Sequence, residues 1–281
     1  MSKAGHQREA LPGAVEKHVL RRDGDRLAEA SDMVAAEVPV AFAVNGAPFA
    51  VMMATPGDLE DFALGFALGE GIIEDAGELA VESVVESLEG IAVALAVPPS
   101  RAAAVEARRR SLEGRSGCGL CGMAAIEAVL RPPRPVGPGR RIAAAALDHA
   151  LRELQRRQPL NAMTGATHAA GWANPDGAIA LVREDVGRHN ALDKVVGAMA
   201  RAGIDPCDGF AVTTSRASYE MVTKAAQAGI TLLAAISAPT ALAIAFAQGS
   251  GLTLVGFARG HGHVVYAHPH RLHDLAREAL A

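Results

Sequence analysis

Cysteine is nearly absent from this chain of 281 residues: three occur, at positions 118, 121 and 207. That scarcity excludes a disulfide-stapled scaffold and makes the cytoplasm the default compartment. Aromatic residues are also sparse, at 4% of the chain, so alanine, valine and leucine must fill most of the core that a 50% apolar composition permits. Neither sign of charge dominates. A formal net charge of −4 gives no general attraction to nucleic acid or to an anionic membrane, and neither is expected as a partner. Arginine clusters only locally, at 108–110 and between 131 and 141. The first 26 residues are polar and mixed in charge, without the apolar run of a secretory signal. The longest weakly polar stretch, 229–247, is broken at Pro239 into a strand-like and a helix-like half, and reads as buried core rather than a membrane span. No internal repeat is evident.

Two of the three cysteines share one glycine-flanked turn, Ser116-Gly117-Cys118-Gly119-Leu120-Cys121-Gly122. The glycines leave the backbone open, so the sulfurs should be reachable by another molecule. A helix-like run over 123–130 follows directly, placing both thiols near a helix N-terminus, where the dipole favours thiolate. Arg115 pushes the same way. Because the thiolate is the attacking species, the turn reads as a site for sulfur chemistry. A zinc site is disfavoured, since Cys207 in Asp205-Pro206-Cys207-Asp208-Gly209 offers no matching pair; with ten histidines in the chain, a mixed Cys/His site stays open. No metal ligands are assigned, and Cys207 reads as a loop or semi-buried thiol.

The length allows one large domain or two modest ones. Strands are expected at 38–44 and 49–53, joined by Asn45-Gly46, whose residues tolerate the positive φ of a tight hairpin. Thr55-Pro56-Gly57-Asp58 reads as a helix entry, followed by apolar residues at helical spacing and a stop at 69–71. Strands at 81–86 and 90–97 complete a small α+β unit. Residues 101–115 are charged and read as helical or mobile. Residues 131–139, with four prolines and two glycines, form the clearest linker, so the cysteine turn lies at a junction. Beyond it the pattern alternates: helix 142–158, strand 178–182, helix 187–202, strand 210–214, helix 218–228, strand 230–236, helix 240–248 and strand 252–257. That spacing argues for parallel strands.

In such a layout ligands bind beyond the carboxyl ends of the strands. The segments expected there are Arg183-Glu184-Asp185-Val186-Gly187-Arg188-His189-Asn190, Thr213-Thr214-Ser215-Arg216-Ala217-Ser218, Ser237-Ala238-Pro239-Thr240 and Arg259-Gly260-His261-Gly262-His263. Hydroxyls, glycine and arginine beside helix N-termini suit an anionic ligand. Asp185, Ser215, Ser218 and Thr240 would equally serve as ordinary helix caps. Four such loops on one edge favour a phosphate-bearing or nucleotide-bearing ligand. His168 and His189 read either as ordinary packed or surface histidines or as ligand contacts, with His189 supported by Asp193 or Asp185. Asp193 and Lys194 read as helix-surface or interface residues, and Trp172 as packing.

The blocks Thr55 to Phe66, Cys118/Cys121 and Arg183 to Lys194, with Ser215 to Met221 and Ser237 to Thr240, resemble the formate dehydrogenase accessory sulfurtransferases, the FdhD family, over roughly 37–266. The resemblance implies a protein that accepts persulfide sulfur from a cysteine desulfurase and passes it to the molybdenum cofactor, as bis-molybdopterin guanine dinucleotide, for formate dehydrogenase. It implies Cys118 as the persulfide carrier, with Cys121 assisting or sharing that role. It also implies cofactor contacts at Phe257, Ala258, Arg259, Gly260, His261 and Gly262, with Arg188, His189, Ser215, Arg216 and Ser237 beside them. GDP or a similar guanine nucleotide would fit the same place, and family members are similar in forming homodimers. The implied architecture is α/β: a small N-terminal α+β domain over 1–135, ending in the mobile cysteine loop and its helix, and a C-terminal cytidine-deaminase-like cofactor-binding domain over 136–281 with a mainly parallel sheet. Two other readings compete with this one. A nucleobase deaminase needs His-x-Glu, yet Ala169-Ala170 follows His168. A non-catalytic cofactor chaperone would use the cysteines only for contact or redox sensing.

Overall fold

A computed structural model describes residues 11–113, 133–259 and 262–274. Strands β1 (Ala14–Asp23) and β2 (Arg26–Ala35) form a long antiparallel ribbon. Strands β3 (Val38–Val44), β4 (Ala47–Ala54), β5 (Ala80–Glu86) and β6 (Ile91–Ala96) make a four-stranded sheet in the order β4-β3-β6-β5. The expected turn is present: Asn45 and Gly46 both have positive φ, 49° and 78°. Along β3 and β6 the residues alternate, so Val40, Phe42, Val44, Ile91, Val93 and Leu95 are buried. They pack on helix α1 (Leu59–Gly69) through Phe62, Ala63, Phe66 and Ala67.

Helix α2 (Ala102–Glu113) follows this unit. The short strand β7 (Ile142–Ala143) comes next and pairs with the last strand, β14 (Leu272–His273). Helices α3 (Ala144–Arg156) and α4 (Pro159–Thr164) lead into the larger sheet. Its strands are β8 (His168–Ala173), β9 (Ile179–Asp185), β10 (Phe210–Thr213), β11 (Leu232–Ala235), β12 (Thr253–Arg259) and β13 (Gly262–Ala267), ordered β13-β12-β11-β10-β8-β9. Helices α5 (Arg188–Arg201), α6 (Tyr219–Gln227) and α7 (Ala241–Ser250) cover one face, with Leu192, Met221 and Phe246 against Ala170, Ala211, Leu233 and Leu254. Helix α3 covers the other through Leu147, Leu151 and Leu154.

The expectation of a mainly parallel sheet is corrected. β10, β11 and β12 are parallel, while β8 pairs antiparallel with both β9 and β10, and β13 pairs antiparallel with β12. The cause is local: Asn174 to Ala178 closes a tight turn through hydrogen bonds from Gly177 N to Asn174 O and from Asn174 N to Ala178 O, and no crossover helix separates β8 from β9. Strand β9 also runs three residues past its expected end, so Arg183, Glu184 and Asp185 are strand rather than loop.

Helices α1 and α5 cross at two glycines. A Cβ on Gly65 would lie 1.7 Å from the Asp193 carbonyl oxygen, and one on Gly197 would lie 1.9 Å from that of Asp61. Only glycine permits this backbone approach. The order of layers is therefore four-stranded sheet, α1, the α5–α6–α7 layer, six-stranded sheet, α3. Among the described residues no helix is long and apolar enough to cross a membrane.

Candidate functional site

The large sheet gathers its polar segments on one edge. Register proves the alignment: His168 at the start of β8 pairs with Asp185 at the end of β9, Thr213 at the end of β10 pairs with Ala170 and Ala235, and Arg259 pairs with Gly262. Loops beyond these ends are stitched together by hydrogen bonds from Ile236 N to Thr213 O, Thr240 N to Ala217 O and Phe257 N to Ser237 O. Arg188, His189, Ser215, Arg216, Ser237, Phe257, Arg259 and Gly262 thus occupy one rim. Cys118, Cys121, Gly260 and His261 lie outside the described residues.

Within that rim the side chains differ in what they offer. Phe257 is exposed and sits at φ 50°, an unfavourable conformation for a bulky residue, and the Arg259 guanidinium lies 6.0 Å from its ring centroid. Ala258 is fully buried and turns its methyl into the α3-side core. Ser215 is buried, and its hydroxyl donates to the Arg216 carbonyl at 2.9 Å. Arg216 and Ser237 are exposed. Thr240 caps α7 by accepting from Ala243 N, as expected, whereas Ser218 occupies the cap position of α6 without a side-chain cap bond.

His189 does not pair with either expected carboxylate. Its Nε2 lies 3.1 Å from Glu220 Oε2 and 3.2 Å from Ser218 Oγ. Both other acids are taken. Asp193 points into the buried layer, where Lys224 Nζ donates to its two carboxylate oxygens at 2.9 and 2.8 Å. Asp185, fully buried, accepts from Thr55 N, Gly187 N and Asn190 Nδ2 and forms a 2.7 Å ion pair with Lys194. Lys194 also donates to Thr55 O at 3.0 Å, and Val186 N donates to Thr55 Oγ1 at 3.1 Å.

The block Arg183 to Lys194 therefore clamps the helix entry that begins at Thr55. Arg183 and Arg201 both reach Asp61 of α1, at 2.7 and 3.0 Å. Lys224 pairs in turn with Glu70 at 2.8 Å, and Glu70 pairs with Arg108 of α2. Burial raises the pKa of Asp193 and lowers that of Lys224, each opposed by the partner's charge. Asp193 and Lys194, expected at a helix surface or an interface, are fully buried, which corrects the surface expectation.

His168 has its pKa lowered, first by burial and then by the charges of Arg188 and His189. A histidine depressed below its ordinary 6.5 leaves stability intact above that value and removes it as pH falls, because the unfolded chain takes the proton first. Urea unfolding followed across mildly acidic pH should show this loss, and the His168→Gln chain should show a shallower one; equal slopes would contradict the assignment.

The described flanks of the cysteine segment sit away from the rim. Helix α2 carries the chain to Glu113, and after Pro133 the Val136 N–H donates to the carbonyl of Ser250, at the far end of α7. Arg271 fixes the same segment by donating to Gly137 O and Pro138 O. Cys207 is half-buried, and burial raises its thiol pKa, which suits the loop role expected of it.

Known proteins match this chain in sequence and in overall fold. A sulfur carrier protein FdhD from Xanthomonas axonopodis pv. citri (strain 306) is 62% identical over 265 residues, 94% of each chain. One from Cupriavidus necator (strain ATCC 17699 / DSM 428 / KCTC 22496 / NCIMB 10442 / H16 / Stanier 337) is 53% identical over 245 residues, 87% of this chain and 85% of the relative. The crystal structure of a proposed formate dehydrogenase accessory protein from Desulfotalea psychrophila superposes with a TM-score of 0.73 at 26% identity, covering 93% of this chain and all of that one. The FdhD/NarQ family model matches residues 35–273, and the chain belongs to that family.

Proposed function

We propose that this protein is a sulfur carrier in the maturation of formate dehydrogenase. Cys118, with Cys121 assisting or sharing, accepts sulfur and hands it to a molybdenum cofactor held at the rim of the six-stranded sheet. The observation that carries the reading is the convergence of Arg188, His189, Arg216, Ser237, Phe257 and Arg259 on one strand-end edge, in a chain whose sequence sets two cysteines three positions apart among glycines. The names borne by its relatives point the same way.

In this reading the Cys118 thiolate attacks the terminal sulfur of a cysteine desulfurase persulfide. The donor's sulfur–sulfur bond breaks, the donor thiolate leaves, and a persulfide forms on Cys118. The substrate receiving the sulfur is bis-molybdopterin guanine dinucleotide, and GDP or a similar guanine nucleotide would occupy part of its place. Phosphates suit the helix N-termini and arginines of the rim, and holding the acceptor near the persulfide is the protein's main catalytic contribution. The six-stranded sheet with its helices is taken as a cytidine-deaminase-like domain beginning near residue 136, after an N-terminal α+β domain. A cytoplasmic homodimer completes the proposal.

Expression of Cys118→Ala, Cys121→Ala and the double variant in a bacterium lacking this protein tests the reading. Formate dehydrogenase activity should be lost in the double variant and in at least one single variant. Full activity from the double variant would remove sulfur transfer and leave a cofactor-binding chaperone.

A further inference from the structure

Helices α5 and α6 each carry one rim residue and, one turn deeper, one buried charge. On α5 these are His189 and Asp193, and on α6 they are Glu220 and Lys224. The His189–Glu220 pair is the outer rung, and the Asp193–Lys224 pair is the inner one, about 6 Å further along the helices. From the inner rung the line of charges leaves this layer. Lys224 Nζ pairs with Glu70 at the end of α1, and Glu70 pairs with Arg108 of α2. Helix α2 ends at Glu113, five positions before Cys118. We propose that the Asp193–Lys224–Glu70–Arg108 line holds α2 at a fixed place relative to the rim, making Glu70 and Arg108 positioning residues for the delivery of sulfur. This inference rests on the sulfur-carrier reading, and it adds which residues set the geometry of transfer.

Three observations carry it. The first is that Glu70 is electrostatically misplaced for its own helix. It follows the last turn of α1, which contains no basic residue, so its carboxylate faces the negative end of the helix dipole. The side chain is only 6% exposed, and its charge therefore depends on Lys224 and Arg108. The second is charge balance. Lys224 donates to both oxygens of Asp193 and pairs with Glu70 as well, so one ammonium serves two buried carboxylates. Arg108 supplies the second positive charge, and the four side chains sum to zero only with α2 in place. Gly69 leaves room for the arrangement: a Cβ there would lie 3.1 Å from Asp193 Oδ1 and 3.3 Å from Lys224 Cγ.

The third observation is how α2 is attached. Among its described residues, Val105 alone packs on the apolar core between the four-stranded sheet and α1. The entry to the helix is pinned by Arg101, which pairs with Glu74 and Glu78 at 2.9 and 2.8 Å. Arg108, seven positions on, ties down the half of the helix nearer the cysteines. A helix held at its entry and by one small apolar contact can pivot, and a second ionic tie fixes its direction. The chain spans at most about 18 Å from Glu113 to Cys118, so the direction of α2 bounds where sulfur can be presented. A misplacement of about 1 Å between reacting groups can cost a transfer about 100-fold.

Two measurements on the full chain test the proposal, with Arg108→Gln, Arg108→Lys and Glu70→Gln. Arg108→Gln is the mildest cut, because Glu70 keeps Lys224. The first measurement is the distance between spin labels on Ala107→Cys of α2 and Ala241→Cys at the start of α7. Both positions are exposed, and the three native cysteines are replaced by alanine. With Glu70 and Arg108 intact, one narrow distance is expected. Arg108→Gln and Glu70→Gln should broaden it or move it by several ångströms, and Arg108→Lys should keep most of it. The second measurement, with the native cysteines present, compares sulfur loading of Cys118 and Cys121 by a desulfurase with maturation of formate dehydrogenase. Arg108→Gln should load to the wild-type extent yet mature the enzyme roughly tenfold less well, and Arg108→Lys should recover part of that loss.

A narrow, unmoved distance in Arg108→Gln and Glu70→Gln overturns the proposal, even where the urea midpoint falls, since the ion pairs would then serve stability alone. Wild-type maturation by Arg108→Gln overturns it as well. So does a loss of loading equal to the loss of maturation, which would put the effect on the donor's side. The sulfur-carrier reading fails by a different result, full maturation activity without Cys118 and Cys121, and the distance measurement is independent of it.

Discussion

Gly197→Ala is expected to destabilise the protein by about 3 kcal/mol or more, read as a fall in the urea unfolding midpoint. The new methyl would meet the Asp61 carbonyl at 1.9 Å and its carbon at 2.6 Å. Both atoms are backbone, so no side-chain rotation relieves the clash, and α1 must move off α5. Gly65→Ala meets the Asp193 carbonyl at 1.7 Å and should behave alike. Helix propensity opposes the effect, since alanine is favoured over glycine by about 1 kcal/mol inside a helix. Gly249 of α7 isolates that opposing contribution, because a Cβ there meets nothing within 4 Å. Gly249→Ala should therefore be neutral or slightly stabilising. If Gly197→Ala matches Gly249→Ala, the close crossing is not present in solution.

Lys194→Met should cost a comparable amount, about 3–5 kcal/mol, because it strands the buried Asp185 carboxylate without its cation. Thr55 O would lose its Nζ donor at the same time. The Phe62 ring, 5.8 Å from Nζ, would still pack against the new side chain. The informative comparison is the cycle formed by Lys194→Met, Asp185→Asn and the double variant, each measured by urea unfolding. The double variant should be more stable than the sum of the single losses predicts. Simple additivity would mean that the two charges are not coupled, and the clamp between Thr55 and the β9–α5 turn would need another explanation.

These two sets of contacts mark where sequence reading stopped. The Asn45-Gly46 hairpin was legible because its turn chemistry is local, and β10, β11 and β12 were legible from compact apolar runs between helices. The ribbon β1–β2 was not, because charged and apolar residues are interspersed along both strands without a sustained alternation. Strand β8, His168-Ala169-Ala170-Gly171-Trp172-Ala173, is too rich in alanine and glycine to declare itself as strand. Missing it concealed the β8–β9 hairpin, and with it the antiparallel half of the sheet.

The site divides in the same way. That polar strand ends share one rim followed from alternation of strand and helix, a sequence property. The partners of the rim residues did not follow. Thr55 and Asp185 are 130 positions apart, and Asp61 and Arg201 are 140 apart. Such pairs exist only once α1 has docked on α5. His189 shows the limit most simply: Asp193 stands four residues on along the same helix, yet Asp193 turns inward to Lys224, and Glu220 reaches the imidazole from α6. Only Ser218-Tyr219-Glu220 opening the next helix hinted at this, and spacing alone does not bring two helix N-termini together.

The central claim is that sulfur rides on Cys118 or Cys121 as a persulfide. Intact-protein and peptide mass spectrometry, after incubation with a cysteine desulfurase and cysteine, tests it directly. The account predicts a mass gain of one sulfur atom on a peptide carrying Cys118 or Cys121, absent from Cys207, removed by reductant and abolished in the double alanine variant. A chain that gains no sulfur at either position, or that instead holds a stoichiometric metal ion through them, would contradict it.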